Sequence, residues 1–214
     1  MSRWDGAVDR CLAAVVARLA QGGPAPAGSF ASDVAALRKN GAPASAASPP
    51  AGESLPVLRH WPVALDGAAA LDAALGTTLA ELSPLLAWRQ NPNYVRRPPG
   101  PKFLDGYGYA VIAGPGGLVP AEIAIGVLLL APSVLYPAHA HPAEEVYLAL
   151  DLDSRWWREG EDWREGVGGA AIHHPPHVAH AMQAGSAPLC AVYLWRGDLA
   201  TNAALTVSGH LTET

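Results

Sequence analysis

Two cysteines in 214 residues, Cys11 and Cys190, leave no material for a disulfide framework or a Cys-based zinc site, and a reducing compartment fits that scarcity. Charged residues make up only 15% of the chain and sum to −5, so there is no broad basic surface of the kind that neutralises phosphates. Nucleic acid is therefore not an expected partner, and no basic helix-turn-helix segment is visible. Long apolar runs are missing too: none approaches the roughly 18 residues that span a bilayer, so no membrane partner is expected. In MSRWDGAVDRCLAAVVARLA, the residues Asp5, Asp9, Arg10 and Arg18 interrupt any apolar leader core, which sets the expectation of a cytoplasmic protein. No repeat of solenoid type is present. What remains is half apolar, enough for one buried core with an appendage, and its expected partner is a small polar molecule.

Val8, Cys11, Leu12, Val15, Val16 and Leu19 keep the spacing of one apolar helical stripe, which predicts a first helix. That stripe can pack on the chain's own core or on a second copy, so a homodimer is compatible with it. A short helix is predicted from about Ser32 to Lys39, and GAPASAASPPAGESLP reads as a connector. Leu71, Leu75, Leu79, Leu82 and Leu86 predict a helix from Asp66 to about Trp88, with Asp66 as its N-cap and NPNYVRRPPGP closing it. Beyond Phe103 the texture changes to short apolar or alternating runs separated by Gly and Pro: YGYAVIAGP, AEIAIGVLLLAP, EEVYLAL, GGAAIHHPP and PLCAVYLWRG. Such runs suggest an antiparallel sandwich or barrel. The expected division is a helical extension with its connector over 1–97 and a β-barrel domain over 98–214.

The segment YPAHAHPAEEVYLAL concentrates ionisable groups in one strand. On extended backbone His139, His141, Glu145 and Tyr147 share a parity, while Val146 and Leu148 face the other way. Two imidazoles and a carboxylate at this spacing can converge on one divalent ion, and mixed N/O donors suit Zn, Fe, Mn, Co or Ni better than Ca or Mg. Further on, GAAIHHPPHVAH places Gly169, Pro175 and His180 as a turn, a strand and a fourth candidate ligand.

The pattern Hx1Hx3E followed by Gx5Px4H resembles the two-part signature of the cupin family, with its polar positions on His139, His141, Glu145 and His180. The resemblance implies a mainly β fold, a double-stranded β-helix barrel of the jelly-roll type, here with an N-terminal α-helical extension. It also implies one divalent transition metal held inside by those four residues. Ser133, Leu152 and His177 stand where family members usually carry glycine, departures that concern turn geometry and leave the ligand positions intact. More narrowly, residues 103–199 resemble the cupin-type dimethylsulfoniopropionate (DMSP) lyases, which cleave DMSP to dimethyl sulfide and acrylate. Tyr136 before the His pair and Tyr147 after the glutamate are the specific elements, and the resemblance maps the catalytic tyrosine to Tyr147.

The chemistry asks for such residues. Removing a proton α to a carboxylate needs the carboxylate's charge withdrawn, which a divalent metal can do, and a base near the α carbon, which Tyr147 can supply if a cationic field lowers its pKa. The leaving sulfonium favours an aromatic wall, for which Tyr136, Tyr193 and Trp195 are candidates; core packing is the alternative for Trp195. His173, His174 and His177 read as hydrogen-bonding neighbours of the ligands or as surface residues, with His177 preferred as a substrate-side group because it lies nearest His180. Glu144 should face outward, and RWWREGEDWREG reads as a solvated hairpin. The leading reading is thus a metal-dependent carbon–sulfur lyase acting on DMSP. Its alternatives are a cupin isomerase or Fe(II) oxygenase on another small substrate, and a ligand-binding cupin without turnover.

Overall fold

The predicted apolar stripe forms α1 (Asp5–Leu19), with Val8, Cys11, Leu12, Val15 and Leu19 all buried. The computed structural model describes residues 5–39, 51–165 and 168–206, so 41–50 of the predicted connector lie outside the described residues. The next helix, α2 (Ala25–Lys39), begins well before Ser32. Its prolines fall at and just before the first turn, where a missing N–H costs nothing and the fixed φ suits a helix. The long helix expected from Asp66 divides into α3 (Trp61–Leu71) and α4 (Ala73–Leu82). Asp72 is extended, at φ −144° and ψ 96°, and its carboxylate caps α4 by accepting from the Ala74 and Leu75 amides at 3.1 Å, whereas Asp66 sits inside α3. Where a loop was expected, α5 (Pro92–Arg96) forms, with the Asn91 side chain accepting from the Asn93 amide at 2.9 Å. Among the described residues, no helix is long and apolar enough to cross a membrane.

Ten strands follow: β1 (Tyr107–Ala113), β2 (Ala124–Leu130), β3 (Leu135–Ala140), β4 (Glu144–Ala149), β5 (Arg155–Arg158), β6 (Arg164–Glu165), β7 (Ala171–His174), β8 (His180–Gln183), β9 (Leu189–Arg196) and β10 (Ala204–Leu205). They make two five-stranded antiparallel sheets, ordered β1-β2-β9-β4-β7 and β10-β3-β8-β5-β6. This is the mainly β cupin barrel with helices at its N-terminal side, as expected. The RWWREGEDWREG stretch supplies β5 and β6, a paired hairpin.

Parity sorts the first sheet. Along β9, Cys190, Val192 and Leu194 join a core with the helices, while Leu189, Ala191, Tyr193 and Trp195 face the barrel interior. On β4, Val146 and Leu148 join the helical side and Tyr147 and Ala149 the interior. Each fully buried Val or Leu on the helical side is worth about 1.5–3 kcal/mol relative to exposure, so a one-residue slip of either strand is strongly disfavoured. Beyond β1 the sheet is extended by a bridge in which the Arg89 amide donates to the Tyr109 carbonyl at 2.9 Å and the Tyr109 amide to that of Arg89 at 3.0 Å.

Candidate functional site

Two strands from one sheet and one from the other deliver the polar cluster. His139 lies on β3 and His141 just beyond it, His180 opens β8 opposite His139, and Glu145 lies on β4 in the facing sheet. All four side chains are buried. Each imidazole is oriented by a backbone carbonyl two residues away: Nδ1 of His139 meets Pro137 O at 2.9 Å, that of His141 meets Ala143 O at 3.0 Å, and that of His180 meets Val178 O at 3.0 Å. A carbonyl only accepts, so Nδ1 carries the hydrogen and the neutral ring presents a lone pair at Nε2.

Those lone pairs crowd one carboxylate. Glu145 Oε2 lies 3.0 Å from His141 Nε2 and 3.1 Å from His180 Nε2, and the three residues offer ligand atoms all within 4.8 Å of one another. Oxygen and nitrogen lone pairs repel at such distances unless a proton or a metal ion stands among them. His180 Nε2, fully buried, has no hydrogen-bond partner. The donor set, two imidazole nitrogens and a carboxylate with fixed tautomers, fits a divalent transition ion. His139 stands outside this group of three: its ring stacks on Tyr136 at 3.9 Å and meets His180 edge-on at 4.2 Å. Burial, reinforced by the neighbouring His180, pushes the His139 pKa well below the usual imidazole range. For Glu145 burial acts upward, but when a proton stands between it and His141 or His180 the resulting charge and hydrogen bonds outweigh burial and hold the carboxyl well below its ordinary value.

A cavity of about 230 Å³ reaches Glu145. The chain has six tyrosines, and five of them, Tyr107, Tyr109, Tyr136, Tyr147 and Tyr193, line this cavity with Trp195. The sixth, Tyr94, accepts a hydrogen bond from the Tyr136 hydroxyl at 3.1 Å. Tyr147 packs 5.0 Å from Trp156, and burial together with the Glu145 charge raises its phenol well above the ordinary value. The Tyr193 hydroxyl donates to Ala110 O at 3.4 Å, crossing β2 where Gly126 leaves room; a Cβ there would overlap the phenol.

The structure thus gathers His141, Glu145 and His180, with His139, Tyr136 and Tyr147 adjoining, and brings Tyr193 and Trp195 to the cavity wall. Trp195 has a further contact: its indole N–H donates to Glu145 Oε1, and its ring stacks on His141 at 4.0 Å. His177 does not join them. It is exposed on the turn before β8, at φ 64°, and only its backbone amide engages the site's surroundings, donating to His141 O at 2.8 Å. His174, the less favoured neighbour, is the buried one: it stacks on His180 at 4.0 Å, and both its ring nitrogens lack a partner. His173 pairs with Glu144 at 2.9 Å on the outer face, where Arg196 also holds Glu144. The tyrosines preceding β2, namely Tyr94, Tyr107 and Tyr109, were not singled out from sequence; the alternation of YGY was the available signal.

A family model described as dimethylsulfoniopropionate lyase matches residues 30–191. The dimethylsulfoniopropionate lyase DddQ of Ruegeria pomeroyi is 34% identical over 108 residues, which are 50% of this chain and 54% of that protein. DddL of Cereibacter sphaeroides is 31% identical over 158 residues, 68% of this chain and 61% of that one. The chain therefore spans only about half to three fifths of these curated relatives. The crystal structure of the DMSP lyase DddQ from Ruegeria pomeroyi DSS-3 superposes with a TM-score of 0.68 at 25% identity, covering 96% of this chain and 99% of that one. Because the matched span holds the His141, Glu145 and His180 group together with Tyr147, on a barrel of the same architecture, the chain belongs to the dimethylsulfoniopropionate lyase family.

Proposed function

We propose that the protein is a metal-dependent lyase that cleaves DMSP to dimethyl sulfide and acrylate by β-elimination. The observation that carries this reading is the meeting of two Nε2 lone pairs and the Glu145 carboxylate beside Tyr147, at the end of a cavity walled by phenols. His141, Glu145 and His180, with His139 alongside, would hold a divalent ion, whose Lewis-acid charge would make a bound carboxylate's α proton more acidic. Tyr147 is the base that takes that proton. With the chain's own groups alone its phenol stays protonated, since burial and Glu145 both raise it, so its activity as a base requires the positive charge that offsets Glu145. Tyr136, Tyr193 and Trp195 offer π faces to the sulfonium, and the enclosed wall keeps water from competing. A generic oxygenase needs no phenolic base, and the concentration of tyrosines favours the lyase over it.

Headspace dimethyl sulfide after adding DMSP to metal-loaded protein tests the proposal. Tyr147→Phe is expected to lower release by about 10²–10⁴-fold with metal content unchanged. His141→Ala is expected to lose both metal and release. Metal-replete wild-type protein that yields no dimethyl sulfide would overturn the reading.

A further inference from the structure

Among the described residues, Arg89 is the only Lys, Arg or His lining the tyrosine-walled cavity. It is half-buried, whereas Glu145 at the other pole is fully buried, so the cavity runs from a carboxylate inside to a cation at its mouth. Its backbone is fixed by the bridge to Tyr109, and its side chain by an Nη2 hydrogen bond to Gly116 O at 2.8 Å and a longer Nε contact to Ala87 O at 3.4 Å. Among the described residues it forms no ion pair, unlike Arg10, Arg38 and Arg196. Burial raises the Tyr109 and Tyr193 phenols and the Arg89 cation pulls both back, so its field extends over that wall.

A wall of aromatic faces binds any onium head, whether or not the molecule carries a carboxylate. Choosing among such ligands requires an element that penalises the wrong one. We propose that Arg89 is that element: it admits zwitterions bearing a carboxylate and turns away simple onium cations. The inference rests on the onium-binding role given above to the tyrosine wall. A net cation approaching the mouth meets uncompensated repulsion. A zwitterion also brings a carboxylate that Arg89 attracts, so the repulsion of its onium head is largely offset.

Calorimetric titration of the metal-loaded full chain with tetramethylammonium, choline and glycine betaine tests this without turnover. Wild type is expected to prefer betaine to choline. In Arg89→Gln, choline and tetramethylammonium should bind on the order of tenfold more tightly, while betaine changes by less than about threefold. Arg89→Lys keeps the charge but not the fork that reaches Gly116, and should exclude the cations as wild type does. Equal cation affinity in wild type and Arg89→Gln overturns the proposal. So does Arg89→Lys behaving like Arg89→Gln, which would reduce Arg89 to a tether for the Gly116 loop. Wild type that excludes cations yet releases no dimethyl sulfide would sink the lyase reading and leave this one standing.

Discussion

Ser133 and His177 hold φ values of 63° and 64°, a left-handed backbone that costs an L-residue roughly 1–2 kcal/mol. Both occupy positions where the two-part cupin signature expects glycine, so the turns keep the geometry although the residue differs. Ser133→Gly and His177→Gly are therefore each expected to raise stability by about 0.5–1 kcal/mol, less than the full strain because glycine loses more entropy on folding; urea unfolding measures it. Asp153 shows a pH-dependent tie. Its carboxylate accepts from the Ser186 amide and hydroxyl at 2.7 Å, and the Ser186 hydroxyl, outweighing burial, lowers its pKa. A carboxyl depressed on folding contributes stability above its unfolded value near 3.8 and loses it as pH falls through the lower folded value. The stability gap between wild type and Asp153→Ala should thus be present at pH 6 and close toward pH 3. At this scale the candidate positions were legible: strand parity pairs His139 with His141 and Glu145 with Tyr147, and the two-part cupin signature adds His180. The neighbours of Glu145 were not: His174 and Trp195 sit opposite it only because β7 and β9 flank β4, and parity says nothing of which strands lie side by side.

Elements with long periodic patterns were read well, and short or interrupted ones were not. The alternation of β9 predicts its two faces, and the α1 stripe its buried side. A five-residue helix such as α5 is too brief to show a period, and with it Tyr94 went unnoticed. Asp72 divides α3 from α4 by capping, a local competition that the leucine spacing across it conceals. Arg196 at the end of β9 ties α2 to the barrel, pairing with Asp33 at 2.9 Å and Glu144 at 2.8 Å while its guanidinium lies 4.3 Å from the Phe30 ring. Between β2 and β9, Gly126 opposes Tyr193. Gly126→Ala is expected to drive a Cβ into the Ala110 carbonyl as well as that phenol and to cost about 3 kcal/mol, seen as a lower urea midpoint together with weaker binding of onium ligands.

For the whole molecule, the helices and the outer face of the first sheet share one apolar core that draws on residues from Ala7 to Leu194. The His141, Glu145 and His180 group draws on both sheets, so an ion bound there would link them. Ligation favours the folded state by mass action, about 2.7 kcal/mol when free metal stands 100-fold above its Kd. Chelation should accordingly lower Tm in wild type by several degrees and leave His141→Ala unmoved, as read by calorimetry. Protons compete for the same nitrogens, so the metal-dependent increment is expected to shrink as pH falls. The gathering of every phenol of the chain around a single chamber has a practical corollary. Protein grown with 3-fluorotyrosine would give a fluorine spectrum free of bystander signals, in which each resonance reports whether that chamber is filled.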